Sequence, residues 1–277
     1  MTSLFFKTYK KKLCLIQANC IGHPLRDFLM MAPAFAAIYD VKIYTNYTSE
    51  LIPDSELRTC NLFIHQYLDE KWNDLASSVL TAKVNSGRCI SIPSCFWRIL
   101  WPFWTWDYER MKPEPGFPFG KHPYGDSFVL KKLKEGVSRR EIINAYLEMN
   151  INEEVDMEAI FAEDYERECA RERHLDVKIS DYVAANFRNI KLMTSVNHPT
   201  NVVILKIANS ILGKLDIAAV PEEISAAATE FGEYQVPIHP AVIRHYRLSF
   251  VDEDSRYLMN GKMRTFSEYV EDYLDNK

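Results

Sequence analysis

Leu13-Cys14-Leu15-Ile16-Gln17-Ala18-Asn19-Cys20-Ile21-Gly22-His23-Pro24-Leu25 decides how this chain is read. Leu13 to Gln17 is a short apolar run with lysines before it, the pattern of a strand buried in a parallel sheet. Pro24 suits the first turn of a helix, where its missing N–H costs nothing. Leu25, Phe28, Leu29 and Ala32 follow at helical spacing. Asn19, Cys20, Gly22 and His23 are therefore packed into one strand-to-helix turn. Ligands of open α/β sheets bind at that end of a strand. A cysteine there feels the positive end of the helix dipole and a nearby imidazole, and both favour thiolate. The plainer reading is packing, because free cysteine is among the most buried residue types. Three polar residues in one turn favour an active-site role.

Working outward, the first strand runs from Lys12 to Ala18 and its helix from Pro24 to about Tyr39. Val41 to Thr45 is a second strand, Asn61 to Gln66 a third and Arg88 to Pro93 a fourth. A short helical turn begins at Pro53. An amphipathic helix over Glu70 to Ala82 carries Trp72, Leu75, Val79 and Leu80 on one side. Strands alternating with helices imply a parallel sheet with right-handed crossovers. Ser94 to Asp126, rich in Trp, Phe, Pro and Gly, has no period and reads as a pocket-lining loop or a lid. Helical patterns follow: one closed by Gly136, one opened by the Ser138–Glu141 capping box, and a long one from Val155 to His174. Ile190 to Val196 returns to strand character, then comes the loop Asn197-His198-Pro199-Thr200, and Val202 to Leu215 is an apolar helix. On this reading the sheet resumes, and two turns bearing Asn and His-Pro face one cleft. The expected architecture is α/β: an open, mainly parallel sheet with flanking helices. Its core is 1–126 and 189–277, with an α-helical insertion lobe at 127–188.

Composition narrows the function. The 277 residues are 47% hydrophobic with a net charge of −5, so there is no nucleic-acid footprint. No apolar run approaches the ~20 residues of a membrane span, and the N-terminus lacks the pattern of a signal peptide. The six cysteines form no C-x-x-C pair, so neither a metal site nor a redox motif is indicated; reduced thiols in the cytoplasm are expected. Walker, G-x-G-x-x-G and G-x-S-x-G motifs are absent. The remaining constellation suits acyl transfer. Cys20 with His23 is a nucleophile or base, Asn19 and turn amides are oxyanion donors, and His198 is a second base. Lys121, Lys131, Lys132, Lys134, Arg139 and Arg140 either meet the phosphates of a carrier such as coenzyme A or form a solvated face.

Gln17-Ala18-Asn19-Cys20 followed by Leu25 resembles the Gly-Asn-Cys-Gln signature of the WcbI-type polysaccharide biosynthesis acetyltransferases of bacterial capsule pathways. Asn61 to Tyr67, Ile90 to Pro93, Lys121-His122-Pro123, Gly136-Val137-Ser138 and Asn197-His198-Pro199-Thr200 fall in the family's order, over about residues 12 to 245. Ala18 stands where the family usually has Gly, and Ile21 where it has Gln. The resemblance implies binding of coenzyme A or acetyl-CoA and O-acetylation of a saccharide hydroxyl, the acceptor being a glycan or nucleotide-sugar. By position it implicates Asn19, Cys20, His122, Asn197 and His198. The full expected site is then Cys20, His23, His198 and Asn19 for catalysis, and Asn197, His122, Lys121, Lys131 and Arg139 for the coenzyme. A homo-oligomer is compatible with this reading. The alternatives are a carbohydrate esterase resembling the SGNH hydrolases, against which the first turn lacks a serine, and a non-catalytic saccharide-binding partner.

Overall fold

Lys12–Ala18 forms strand β1, buried from Cys14 onward, in a computed structural model that describes residues 10–229, 232 and 234–275. Residues 1–9, within the stretch read for a signal peptide, lie outside the described residues. β1 pairs in parallel with β2 (Tyr39–Thr45) on one side and β3 (Leu62–Gln66) on the other, and β3 pairs in parallel with β4 (Arg88–Ile92). The order β2-β1-β3-β4 puts β1 inside the sheet and makes the chain reverse direction of travel between β1 and β3. The register aligns Leu15 with Phe63 and Gln17 with His65. Leu15 and Phe63 share one core cluster with Leu57 and Leu80 from the crossovers.

Helix α1 (Gly22–Met30) covers the other face. Gly22 lets the helix start press close on the strands: a Cβ there would sit 3.1 Å from Ile43 Cγ2 and 3.4 Å from Ala18 Cβ, a tight fit that the Ile43 side chain would have to relieve. The helix Asn201–Lys214 packs on α1 and buries Val203, Ile204, Leu205, Ile207, Ala208, Ile211 and Leu212. A helix apolar on so many sides belongs inside. On the outer side of β4, Val177 N–H donates to Ser91 O at 3.1 Å and Asp176 takes the Ser91 N–H at 2.9 Å. That segment caps the sheet edge, which would otherwise invite another strand.

Several elements differ from the sequence expectation. The helix expected over Pro24 to Tyr39 is broken: α1 ends at Met30 and a second helix spans Pro33–Ile38, with Ala32 extended. Pro33 removes an N–H and pushes the preceding residue out of the helical region. Tyr39 belongs to β2. The helix expected over Glu70 to Ala82 is a 3-10 turn, Glu70–Leu75, and a short helix, Ser77–Thr81. Ser77 Oγ accepts from Leu68 N–H and lies 3.1 Å from His65 Nδ1, which pins the second start, and Trp72 is exposed instead of packed. Val155 is extended, so the long helix begins at Met157 and runs to Glu172, and a separate short helix precedes it at Ile151–Glu154.

The largest correction concerns Ile190 to Val196. Met193–Ser195 pairs antiparallel with His198–Pro199, and the sheet does not resume. The backbone groups of this stretch are satisfied locally: Trp97 N–H donates to Val196 O and Val236 N–H to Thr194 O. The second Asn–His turn therefore does not end a strand of the parallel sheet.

The chain forms two packed units. The first is Met1–Ser94, Arg171–Ile179 and Asn201–Thr229, and holds the four-stranded sheet. The second is Cys95–Ala170, Ser180–Thr200 and Glu230–Lys277. The aromatic segment thus shares a unit with 127–170 and 180–188 of the stretch read as an insertion, while 171–179 belongs to the first unit. The reason is a common aromatic core: Phe103 lies 5.7 Å from Phe128 and 5.9 Å from Tyr146, and Ser127 N–H donates to Phe103 O. The Ser138–Glu141 capping box forms as expected, and Gly136 ends its helix at φ +75.

Candidate functional site

In unit one, the carboxyl ends of the four strands are tied by one side chain. Gln66, at the end of β3, is 1% exposed. Its Oε1 accepts from Asn19 N–H at 2.6 Å and from Asn46 Nδ2 at 3.0 Å. Its Nε2 donates to Asn19 Oδ1 at 3.1 Å and to Pro93 O at 3.4 Å. The residues just beyond β1, β2 and β4 are thus held by the last residue of β3. Nothing but a glutamine at the end of an apolar strand signals this in the sequence, where Gln66 reads only as a strand residue.

Asn19 is locked by the same contacts. Its Oδ1 also accepts from Ile21 N–H at 3.2 Å, so the amide is oriented by two donors and its Nδ2 carries the remaining donor capacity. Its carbonyl takes Gly22 N–H at 3.0 Å, closing the turn into α1. Cys20 sits half-buried in this turn. Burial pushes its thiol up to about 11, outweighing the Cys20 and Ile21 N–H groups that pull it down. The expectation of a thiolate is corrected: the helix start and its amides are present, but desolvation of the charged sulfur is the larger effect. His23 is exposed and makes no hydrogen bond to Cys20 among the described residues.

The other expected residues lie in unit two. His198 Nδ1 is 2.7 Å from Tyr124 Oη and 3.0 Å from Ser195 Oγ. Tyr124 donates to Asn197 Oδ1 at 2.9 Å. Burial lowers His198 to about 4, so its imidazole is neutral at pH 7. Tyr124 and Ser195 escaped the sequence reading; only the proximity of Tyr124 to His122-Pro123 hints at one of them.

His122 is fully buried, with Nδ1 3.0 Å from Tyr234 Oη and Nε2 3.3 Å from Asp272 Oδ2. Burial pushes it down to about 4, against the pull of Asp272. Lys121 also pairs with Asp272, at 3.1 Å, and Arg139 pairs with Asp275. These three side chains anchor the C-terminal helix Phe266–Asp275. Lys131 is exposed on the helix Ser127–Lys134. His239, another histidine before proline, caps its helix: Nδ1 accepts from Ala241 N–H and Nε2 meets Tyr146 O at 2.8 Å. Among the described residues no cluster of three His, Cys, Asp or Glu side chains is arranged to hold a metal, and no helix is long and apolar enough to cross a membrane.

A parallel α/β sheet whose strand order reverses at β1/β3, with a polar turn fastened at that end, defines an α/β protein of the open parallel-sheet class. A structure of native WcbI, described as a polysaccharide biosynthesis enzyme without a disulfide bond between coenzyme A and one of its cysteines, has the same fold. It matches with a TM-score of 0.78 at 16% identity, over 96% of this chain and 89% of that one. The family model described as polysaccharide biosynthesis enzyme WcbI matches residues 13–220. The chain belongs to the WcbI family of polysaccharide biosynthesis enzymes. No curated protein matches it.

Proposed function

We propose that this chain is a coenzyme A-dependent O-acyltransferase that moves an acetyl group from acetyl-CoA to a saccharide hydroxyl. The observation that carries the reading is the Asn19–Cys20 turn, clamped by Gln66 at the carboxyl ends of β1 and β3. The family's part in polysaccharide biosynthesis supports a saccharide as acceptor. The structural neighbour, described as lacking a disulfide bond between coenzyme A and one of its cysteines, supports coenzyme A as the ligand, and Cys20 is the cysteine we assign to its thiol end.

The coenzyme supplies an acyl group activated as a thioester. A thiol pushed up to about 11 is protonated at pH 7, so Cys20 is assigned to lining the thiol end of the coenzyme and not to carrying the acyl group. Asn19 Nδ2 and the turn amides are assigned to the developing oxyanion, because the Gln66 and Ile21 contacts hold the amide in one orientation. His23, exposed in the same turn, is the candidate base for the acceptor hydroxyl; His198 belongs to the hydrogen-bonded cluster of the other unit and is not assigned to this turn. Lys131, Asn197 and His122 belong to the other unit, and Asn197 and His122 are assigned to supporting it. Lys121 and Arg139, already neutralised by Asp272 and Asp275, are withdrawn from binding the coenzyme phosphates.

The test is calorimetric titration and thermal shift with coenzyme A and acetyl-CoA. A ligand at a hundred times its Kd stabilises the folded state by about 2.7 kcal/mol, which is readily seen. Binding that weakens in Asn19→Ala and Cys20→Trp supports the reading. A folded protein that binds neither compound overturns it.

A further inference from the structure

Trp106-Asp107-Tyr108, in unit two, reverses the usual order of inside and outside. Asp107 is 7% exposed, while Trp106 on one side of it is 50% exposed and Tyr108 on the other 72%. A fold driven by apolar burial alone would turn the carboxylate out and the rings in.

The reversal is built in. Asp107 Oδ2 accepts from Arg110 Nη1 at 2.7 Å and from Tyr273 Oη at 3.0 Å, and its carbonyl takes Met111 N–H at 3.0 Å. Just upstream, Trp104–Thr105 pairs antiparallel with Gly125–Asp126. A Cβ on Gly125 would sit 2.7 Å from Thr105 O and 2.8 Å from Asp107 Cβ, so the strip is pressed onto that glycine. The Trp104 ring stands edge-on to Phe96 and to Trp106, each with centroids 5.0 Å apart. The Trp106 and Tyr108 rings are 6.3 Å apart and within 13° of parallel. Two exposed rings of one orientation are thus carried on an anchored strip. Adjacent exposed aromatics mark a contact surface, and rings already held in place lose little entropy when they meet a ligand.

The neighbouring charges select the ligand. Asp107 to Glu114 carries three acids and two bases. Both bases are paired within the segment, Arg110 with Asp107 at 2.7 Å and Lys112 with Glu109 at 2.5 Å. No cation of this segment is left over for a phosphate, which a nucleic acid requires. Glu109 and Lys112 are themselves exposed, at 80% and 66% of their side chains, so the rings are followed by acceptors and donors in water. A pyranose fits that combination: one face of the ring is C–H and lies on an aromatic face, and its rim carries hydroxyls. The family's part in polysaccharide biosynthesis puts such rings in its chemistry.

We propose that Trp106 and Tyr108 form a saccharide-binding shelf, on which pyranose rings of the glycan substrate stack while Glu109 and Lys112 meet their hydroxyls. The inference rests on the saccharide part of the functional reading and goes beyond it by naming a second site; it does not depend on the transfer step.

The experiment uses the full chain labelled with nitrogen-15 in tryptophan and three probes: cellohexaose, mannohexaose and maltohexaose. Trp106→Phe assigns the Trp106 indole signal among the five tryptophans. At least one probe should shift that signal in the wild type, with saturation transferring to the sugar C–H protons. Trp106→Ala with Tyr108→Ala should weaken binding at least ~10-fold, and Trp106→Phe with Tyr108→Phe should retain most of it. Thermal unfolding of the alanine pair at the wild-type midpoint shows that the loss is not one of folding. A wild-type Trp106 signal unmoved by all three probes overturns the proposal, whether or not the variants fold. So does full binding by a folded alanine pair, and so does a shift produced by adenosine and by none of the saccharides. Saccharide binding at Trp106 in a protein that binds neither coenzyme A nor acetyl-CoA overturns the acyltransferase reading and leaves the shelf standing.

Discussion

Replacing Gln66 with methionine tests whether one side chain holds the ends of the sheet. Methionine keeps the length and nearly the volume of glutamine, so little cavity or strain is introduced. What is removed is the hydrogen bonding. Asn19 N–H and Asn46 Nδ2 lose the acceptor that now sits 2.6 and 3.0 Å away. Asn46 is only 4% exposed, so water does not readily replace it. A buried donor left without a partner costs about 1–3 kcal/mol. The two acceptors on the other side lose less, because Asn19 Oδ1 keeps Ile21 N–H and the Pro93 contact is already long at 3.4 Å. The expected loss is about 3 kcal/mol. Urea denaturation followed by a probe in unit one should show a lower midpoint with an unchanged slope. Hydrogen exchange should place the loosening at the β1–α1 turn, with the Asn19 amide exchanging at least tenfold faster. Coenzyme A affinity should fall with it. A loss under ~1 kcal/mol with an unaltered Asn19 amide would refute the clamp.

Two further predictions follow from the buried titratable groups. Alkylation of Cys20 by iodoacetamide, read on its own peptide, should rise about tenfold per pH unit through pH 9 without levelling, since burial pushes the thiol up to about 11; a plateau below pH 8 would contradict this. Asp126, fully buried and raised to about 6, binds a proton more readily folded than unfolded, so its contribution is present at low pH and is lost as pH rises from about 4 to 6, by roughly 3 kcal/mol. His122, His198 and His239, each lowered to about 4, act in the opposite sense: their contribution is present above about pH 6.5 and is lost as pH falls toward 4. Asp126→Asn should therefore make the acid unfolding profile steeper, and an unchanged profile would show that Asp126 is not held protonated.

Local pattern alone determined much of unit one. Leu13 to Gln17 could only be a buried strand, and β1 falls on Lys12–Ala18 as read, because a parallel strand buried on both faces leaves an uninterrupted apolar run. The same holds for the capping box at Ser138 and the apolar helix after Asn201, whose signals lie within a few residues of one another. The turn carrying Asn19 and Cys20 was legible for the same reason, as was the order of the family's short motifs. Tertiary structure decided the rest. Ile190 to Val196 has strand composition, but composition does not name a partner, and it pairs with His198–Pro199 outside the sheet. The thiol of Cys20 looked activated from its neighbours in sequence, whereas its state is set by how much of the fold covers it. Gln66, Tyr124 and Ser195 gain their meaning from partners 20 to 74 residues away, and side chains joined over such distances leave no periodic trace along the chain.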